Sequence, residues 1–273
     1  DWDASTGIIQ VEPGVTIEHL WRHCLEDGYW PPVVSGTQTT SLGGCVSANA
    51  HGKNNWKYGP IGDHVLALEL VLPDGRVVIT SREDAPDLFH AVIGGFGLLG
   101  VVTCITLQMK RVYSGRVKVS AASCENLAEM FREFERYLAS DSDYVVGWID
   151  AFPKGEKSGR GQIHAAQYLD DEEDQEGKAY LDVSKQTPSA FAFGVVPRKW
   201  MWRFAKPFAN RIGMRAINWG RFFWAKSWGE KAAHLQPHAQ FNFLLDFVPN
   251  WKWIYRPGGL IQYQLFLPKE AAQ

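Results

Sequence analysis

The spacing of hydrophobic and polar residues divides this chain into alternating helical and extended segments. Apolar residues at helical spacing, together with capping residues and short runs closed by glycine, predict helices over 17–26, 42–48, 85–92 and 125–138. Short apolar or alternating runs bounded by Gly, Pro or Asp predict strands. These strands cover 8–11, 64–72, 77–80, 101–109, 116–122, 144–152, 162–169 and 258–267.

The order of these elements changes near residue 112. Before it, hairpins and short helices alternate, and Thr16 is the expected N-cap of the first helix. After it, a strand, a helix and two strands follow one another, which is typical of a separate α+β unit. We therefore expect an α+β fold with two domains, residues 1–112 and residues 113–273.

Composition narrows the class of protein. Hydrophobic residues make up 45% and charged residues 21% of the chain, as in soluble globular proteins. The net charge of −2 argues against a general nucleic-acid binder. No apolar run approaches the roughly 20 residues that a membrane-spanning helix needs. Four cysteines without a CxxC pair predict neither a zinc site nor a disulfide framework, and all four are expected to be small core residues.

One stretch, residues 35–55, concentrates the candidate chemistry. Gly36, Gly43 and Gly44 allow a ligand to approach the backbone closely, because glycine has no Cβ. The hydroxyls between them favour turns whose N–H groups point at an anion. A second glycine cluster lies at 94–100. The first cluster lacks the spacing of a Walker A motif, and no strand–GxGxxG–helix unit of a Rossmann fingerprint is present. An ordinary surface loop is the competing interpretation.

His51 and Lys53 follow this stretch directly. His51 could act as a general base, donate a hydrogen bond to a cofactor ring, or be a core histidine, but its neighbours Gly52, Asn54 and Asn55 do not suit an apolar core. Lys53 is either a solvated surface lysine or, if buried, an anchor for an anion or a proton carrier. The other histidines have no metal-like spacing, and we assign them no role.

Two segments have unusual charge. Residues 198–231 contain nine basic and nine aromatic residues and one acid, Glu230. This composition fits a membrane-surface element, a groove for a lipid-phosphate substrate, a stacking surface for single-stranded nucleic acid, or a partly buried helical insert. The absence of other nucleic-acid features makes the third interpretation the weakest. The acidic run 170–176 is expected to be a solvated loop.

Several motifs, taken in their order along the chain, resemble the motifs of one known family. They are Gly36-Thr37, Ser41–Gly44, Asn49–Asn54, Asp74-Gly75, Asp87–Phe89 and Gly94–Gly100. Together they resemble the second half of the FAD-binding domain of the vanillyl-alcohol-oxidase type, also called the PCMH type. The resemblance is specific over about 36–109 and weaker from 116 to 247. The run His51–Asn54 is most similar to that of family members that oxidise a lipid-linked ribose in cell-wall biosynthesis.

The resemblance implies a non-covalently bound FAD and a set of site residues. The implied cofactor-binding residues are Gly36, Thr37, Ser41, Leu42, Gly43, Gly44, Asn49, Ala50, His51, Gly52, Gly97, Gly100 and Val102. His51 and Lys53 would face the substrate, with Gln262 and Gln264 contributed by a substrate (cap) domain. The family reaction is hydride transfer from a carbinol carbon to the flavin N5 atom, and no metal is implied.

These implications predict an FAD-dependent oxidoreductase acting on a secondary alcohol of a sugar, with a polyprenyl-phosphate-linked pentose as one substrate class. A soluble aldonolactone or small-alcohol oxidase of the same family is the alternative enzyme. A nucleotide- or lipid-binding module without redox function is the alternative outside enzymes.

The resemblance also predicts that the chain is incomplete at both ends. The family's first glycine-rich FAD loop would precede Asp1, and further substrate-domain residues would follow Gln273. The fragment is therefore expected to be inactive by itself. No signal peptide or transmembrane helix is recognisable in the sequence, which suggests a cytoplasmic protein or one held at a membrane through 198–231.

Overall fold

A computed structural model of the chain describes residues 1–192, 195–229 and 233–259 and the single residues 261, 264 and 268. Its strands are β1 (Trp2–Asp3), β2 (Ile8–Val11), β3 (Tyr29–Trp30), β4 (Val65–Val71), β5 (Val77–Ser81), β6 (Val101–Gln108), β7 (Lys110–Arg111), β8 (Arg116–Cys124), β9 (Tyr144–Ile149), β10 (Gly161–Tyr168), β11 (Phe191–Ala192), β12 (Val196–Pro197) and β13 (His234–Pro237).

The α-helices are short, and most lie between strands. They are α1 (Ile17–Cys24), α2 (Leu42–Ser47), α3 (Asn55–Tyr58), α4 (Pro86–Val92), α5 (Leu127–Leu138), α6 (Val183–Gln186), α7 (Met201–Ala205), α8 (Arg211–Trp224) and α9 (His238–Asn242). A π-helical turn, Ala225–Gly229, continues α8. The α+β class predicted from the sequence is confirmed. The predicted strand 258–267 lies mostly outside the described residues.

The first sheet has five strands in the order β1-β2-β6-β4-β5, all antiparallel. The predicted hairpin is present as the β4–β5 pair. Helix α1 packs Ile17, Leu20 and Trp21 into the core beneath this sheet. Its predicted N-cap is confirmed, because the Thr16 hydroxyl accepts a hydrogen bond from the His19 N–H at 3.2 Å.

The second sheet has four antiparallel strands in the order β13-β8-β10-β9. Side chains alternate between its faces, as the pleat requires. Ile163 and Ala165 pack with Met130 of α5 on one face, and Ala166 packs with Tyr144 and Phe241 on the other. The predicted boundary at residue 112 falls between the two sheets, and the division into domains remains a prediction.

The two sheets are joined by direct contacts around α3. The Val145 N–H donates to the Lys53 carbonyl at 3.0 Å, beside strand β9. The Lys57 ammonium and the Tyr58 hydroxyl both donate to Asp143, at 2.8 and 2.5 Å. These bonds hold the segment that follows His51 against the second sheet.

The acidic run 170–176 is an exposed loop, as predicted, except at Asp174. Asp174 is buried and forms an ion pair with the Arg116 guanidinium, and it also accepts a hydrogen bond from Ser114 at 2.6 Å. A buried carboxylate needs such partners, since burying it unpaired is costly. This exception could not be predicted, because a run of like charges does not reveal a partner 58 residues away.

The basic-aromatic segment is helical and only partly buried. Phe222 of α8 is fully buried, whereas Ile212 is 82% and Trp219 57% exposed. Within the described residues, no helix is long and apolar enough to cross a bilayer. The cysteine prediction is confirmed for Cys24, Cys45 and Cys124, which are buried, and Cys104 is half-buried.

Candidate active site

A cavity of about 380 Å³ lies where the two glycine clusters meet. Its volume is within the range of small-molecule sites. The residues that line it are Pro13, Gly14, Ser41, Gly43, Gly44, Ser47, Gly97, Gly100, Val101 and Val102. The structure thus brings together six of the predicted cofactor-binding residues, which are 61 positions apart at the extremes.

This cavity is open because glycines, which have no side chain, form part of its wall. A Cβ added to Gly14 or Gly97 would meet no atom within 4 Å, so larger side chains there would extend into open space. Gly97 also has a φ of +74°, which favours glycine. A wall made of backbone and small residues suits a ligand that must approach the main chain closely, as a dinucleotide does. The residues present therefore fit FAD.

The second glycine cluster is tied to the end of α2. The Gly94 N–H donates to Val46 at 3.1 Å, and the Phe96 N–H donates to Ser47 at 2.9 Å. Asn49 has a φ of +43°, and its side-chain oxygen accepts from the Gly62 N–H at 3.1 Å. These bonds turn the chain from α2 towards His51, and the sequence suggested this position only through its concentration of amides.

The first turn of α2 corrects part of the predicted set of cofactor-binding residues. The N–H groups of Leu42 and Gly43 donate to Val15 and Pro13, at 2.7 and 2.8 Å, and the Gly44 N–H donates to the Ser41 hydroxyl at 3.2 Å. Leu42 is fully buried in the core. It therefore supports α2 and does not line the cavity.

The loop at Gly36 and Thr37 binds a carboxylate of the protein itself. The Asp246 carboxylate accepts hydrogen bonds from the Thr37 hydroxyl and the Gln38 N–H, both at 2.8 Å. The Leu245 N–H donates to the Gly36 carbonyl at 3.2 Å. The sequence indicated an anion-binding loop here, but it gave no signal that Asp246 would reach it.

His51 lies beyond α2, with Ala50 and Gly52 on either side. Its Nε2 atom is 3.0 Å from the side-chain nitrogen and 3.2 Å from the side-chain oxygen of Gln264. The structure thus brings two of the predicted catalytic residues together. Gln262 lies outside the described residues. Gly52 is required by packing, because a Cβ there would be 2.7 Å from the Val34 carbonyl oxygen.

Lys53 points into the contact between the two sheets. Its ammonium donates to the Phe241 and Asn242 carbonyls and lies 4.6 Å from the centre of the Phe241 ring. Burial lowers the pKa of Lys53 to about 7. Lys53 therefore exchanges a proton near neutral pH, which a surface lysine does not do.

His164 is a further candidate residue, to which the sequence assigned no role. It lies on β10, on the sheet face turned towards Lys53. Burial, followed by the charges of Arg221, Lys53 and His234, lowers its pKa to about 4. The imidazole is therefore neutral at pH 7. Histidine spacing along the chain gave no signal, because only the strand pairing brings these residues together.

Comparison with known proteins bears on the cofactor. Residues 1–81 match the model of a family described as the FAD binding domain. The chain carries an FAD-binding domain. The family resemblance drawn from the motifs is confirmed, and FAD is the cofactor that such a domain binds. The match also includes residues 1–35, which the motifs did not cover.

Three relatives extend the comparison. The chain is 28% identical to the decaprenylphosphoryl-beta-D-ribose oxidase of Mycolicibacterium smegmatis over 273 residues, which is 99% of this chain and 57% of the relative. It is 27% identical to a putative D-arabinono-1,4-lactone oxidase of Neurospora crassa over 54% of this chain and 26% of the relative. It is 32% identical to a putative mitochondrial D-lactate dehydrogenase of Schizosaccharomyces pombe over 50% of this chain and 28% of the relative.

The chain therefore spans little more than half of the first of these relatives and about a quarter of the other two. The activities in these names are those of the relatives.

Proposed function

We propose that this chain is part of an FAD-dependent oxidoreductase that oxidises a secondary alcohol of a sugar. One observation carries the proposal: His51 and Lys53 follow directly from the helix that walls the glycine-lined cavity, and Lys53 lies against the second sheet. When bound, FAD supplies the hydride acceptor, at its N5 atom. The protein must then hold the alcohol and take its hydroxyl proton.

The polar groups of His51, Lys53 and Gln264 suit those two tasks. His51 and Gln264 form a hydrogen-bonded pair that can orient a hydroxyl group. Lys53 has a pKa of about 7, so its amine can accept a proton at neutral pH. We therefore assign orientation to His51 and Gln264 and proton uptake to Lys53. Gly36, Thr37, Ser41, Gly43, Gly44, Gly97, Gly100 and Val102 are proposed to surround the cofactor, with Asn49, Ala50 and Gly52 supporting its reactive end.

For the substrate, we propose a lipid-phosphate-linked pentose. The mycobacterial relative, aligned over nearly the whole chain, is named for a decaprenylphosphoryl ribose. The exposed apolar side chains of α8, such as Ile212 and Trp219, lie on a helix that begins with Arg211. This combination suits contact with an anionic membrane surface, from which such a lipid would be taken.

A small-alcohol oxidase is the second candidate. The Neurospora relative is named as an aldonolactone oxidase, and its alignment covers half of this chain. A substrate panel distinguishes the two candidates. Sedimentation with anionic vesicles tests the membrane contact. We expect the protein to bind the vesicles and to lose this binding when Ile212 and Trp219 are both replaced by serine.

The test of the activity is the absorption spectrum of the full-length protein under anaerobic conditions. We expect oxidised-flavin bands that bleach when a sugar alcohol is added. The His51→Ala variant should retain FAD but bleach about tenfold to a hundredfold more slowly. A flavin that no alcohol bleaches would refute the oxidoreductase proposal, and an unchanged bleaching rate would remove His51 from it.

A further inference from the structure

One face of the second sheet has polar groups that its fold does not use. Gln162 pairs with Trp148 on β9 and with Ser123 on β8, so these three side chains lie in one row on the same face. His164 lies in the next row, opposite Ala121 and Val146. This is the face towards Lys53. We call Ser123, Trp148, Gln162 and His164 the cap-face cluster.

One member of the cap-face cluster is unsatisfied. The Ser123 hydroxyl oxygen is buried and has no hydrogen-bond partner in the described part of the chain. Gln162, which lies beside it in the same row, is only 3% exposed. Buried polar groups are nearly always hydrogen-bonded, since an unmade bond costs about 1–3 kcal/mol. An unpartnered hydroxyl beside a buried amide indicates a ligand that bonds to them.

The charge beside this row is positive. The Arg221 guanidinium lies 4.3 Å from the centre of the Trp148 ring. The nearby acids are already neutralised. Asp150 accepts hydrogen bonds from Arg160 at 2.8 Å and from Asn218 at 3.0 Å, and Glu125 pairs with Lys226. Arg221, by contrast, has no ion pair with an acid among the described residues.

The cap-face cluster lies near Lys53. The Lys53 carbonyl accepts a hydrogen bond from the Val145 N–H, and Trp148 is three residues further along β9, about 10 Å away at about 3.4 Å per residue. The charges of Lys53 and Arg221 both act on the His164 imidazole, so both cations lie close to this one side chain. A hydroxyl at Lys53 and an anion at Arg221 can therefore belong to one molecule.

We infer that Arg221, with Gln162, Ser123 and His164, binds a phosphate ester on the alcohol substrate. This inference rests on the proposed function and names the substrate group that the cap side recognises. The guanidinium supplies the charge, and the neutral groups supply hydrogen bonds to the remaining phosphate oxygens. A neutral imidazole at His164 can donate one such bond.

The test uses the full-length protein loaded with FAD and isothermal titration calorimetry. The ligands are ribose 5-phosphate, ribose and the carboxylate ribonate. Arg221→Gln should weaken the binding of ribose 5-phosphate about tenfold and leave ribose unchanged, while Arg221→Lys should retain most of the affinity. The control is Arg132→Gln on α5, which covers the opposite face of the same sheet and should bind like the parent.

Three outcomes would overturn the inference. Ribose 5-phosphate could bind no more tightly than ribose, ribonate could bind as tightly as the phosphate, or Arg221→Gln could lose vesicle binding and keep ribose 5-phosphate. Flavin bleaching by sugar alcohols is measured separately on the same proteins. If bleaching fails while the calorimetric differences hold, the phosphate site stands and the proposed reaction falls. The reverse result retains the reaction and removes the site.

Discussion

The two sides of the candidate site are built in different ways. On the FAD-binding side, the cavity wall consists of backbone and small residues, including Gly43, Gly97 and Gly100. On the side of the second sheet, the surface consists of large polar and aromatic side chains such as Trp148, Gln162 and His164. In our proposals, one side accepts the cofactor through its main chain, and the other distinguishes substrates by side-chain chemistry.

This difference explains why one side was predictable. A backbone that comes close to another group needs glycine, and glycines leave a pattern in the sequence. A sheet face needs only alternation, which Ser, Gln, His and Trp satisfy without any recognisable motif. Substitutions at the junction between the two sides should show how far they act together, and substitutions on each side should act on that side alone.

The largest effect is expected at the junction, from Lys53→Met in the full-length protein. If the Lys53 amine takes the hydroxyl proton, its loss should slow flavin reduction about 100-fold. In the parent, the rate should rise as pH increases through about 7, because only the unprotonated amine accepts a proton. Stopped-flow absorbance measures both.

Lys185→Met provides the control, because Lys185 is exposed on α6. The flavin of this variant should be reduced at the same rate as that of the parent. A Lys53→Met protein with the parent's rate and pH profile would assign Lys53 to packing between the sheets.

On the FAD-binding side, Gly43→Ala should destabilise the fold by about 2 kcal/mol. The new Cβ would be 2.5 Å from the Pro13 Cβ and 3.0 Å from its carbonyl oxygen, and backbone cannot move aside cheaply. Urea unfolding measures the loss, and flavin absorbance measures the retained FAD.

Gly14→Ala is the matched comparison on the same cavity wall, where a Cβ meets nothing within 4 Å. It should fold like the parent. A loss of FAD from the folded Gly14→Ala protein would mark the cofactor's approach to Gly14, whereas equal stability of the two variants would contradict the packing argument.

Local structure was predictable wherever local chemistry decides it. The N-cap at Thr16, helix α2 and the β4–β5 hairpin follow from hydroxyls, glycines and turn residues within a few positions. The family resemblance depended on the same short motifs. The roles of Asp174 and Asp246 could not be predicted, because their partners are 58 and 209 positions away.

The surroundings of the histidines could not be predicted for a related reason. His164 and His238 have no informative neighbours in the sequence, and strand pairing and ring packing alone give them their surroundings. Sequence reasoning located six residues that line the cavity and left the opposite side of the proposed site without candidates other than Gln262 and Gln264.

On the side of the second sheet, His238 should make stability depend on pH. It is fully buried and stacked on Trp30, and its Nε2–H donates to the Ser114 carbonyl at 2.9 Å. Burial, aided by the charge of Lys110, lowers its pKa to about 4. Between about pH 4 and 6.5 the unfolded chain binds more protons than the folded one, so stability falls as pH decreases through this window.

His238→Gln keeps a donor for Ser114 and removes the titration, so the fall should become shallower. His64 and His164, whose pKa values are also lowered, account for the rest. Urea unfolding at a series of pH values measures the slope. The exposed His90, changed to glutamine, should leave the slope unaltered, and a His238→Gln protein with the parent's slope would refute this assignment.

The smallest effect is expected where the two sides meet through Asp246. Asp246→Ala removes the acceptor for the Thr37 hydroxyl and the Gln38 N–H, so stability should fall by about 1 kcal/mol. If the same loop also holds the anionic part of the cofactor, the aspartate competes with it, and Asp246→Ala should bind FAD more tightly. Asp246→Asn keeps an acceptor without the charge and separates the two effects. Tighter FAD binding by both variants would identify charge competition. Weaker binding by both would mean that Asp246 shapes the loop for the cofactor, and the two sides of the site would then be mechanically coupled through Thr37.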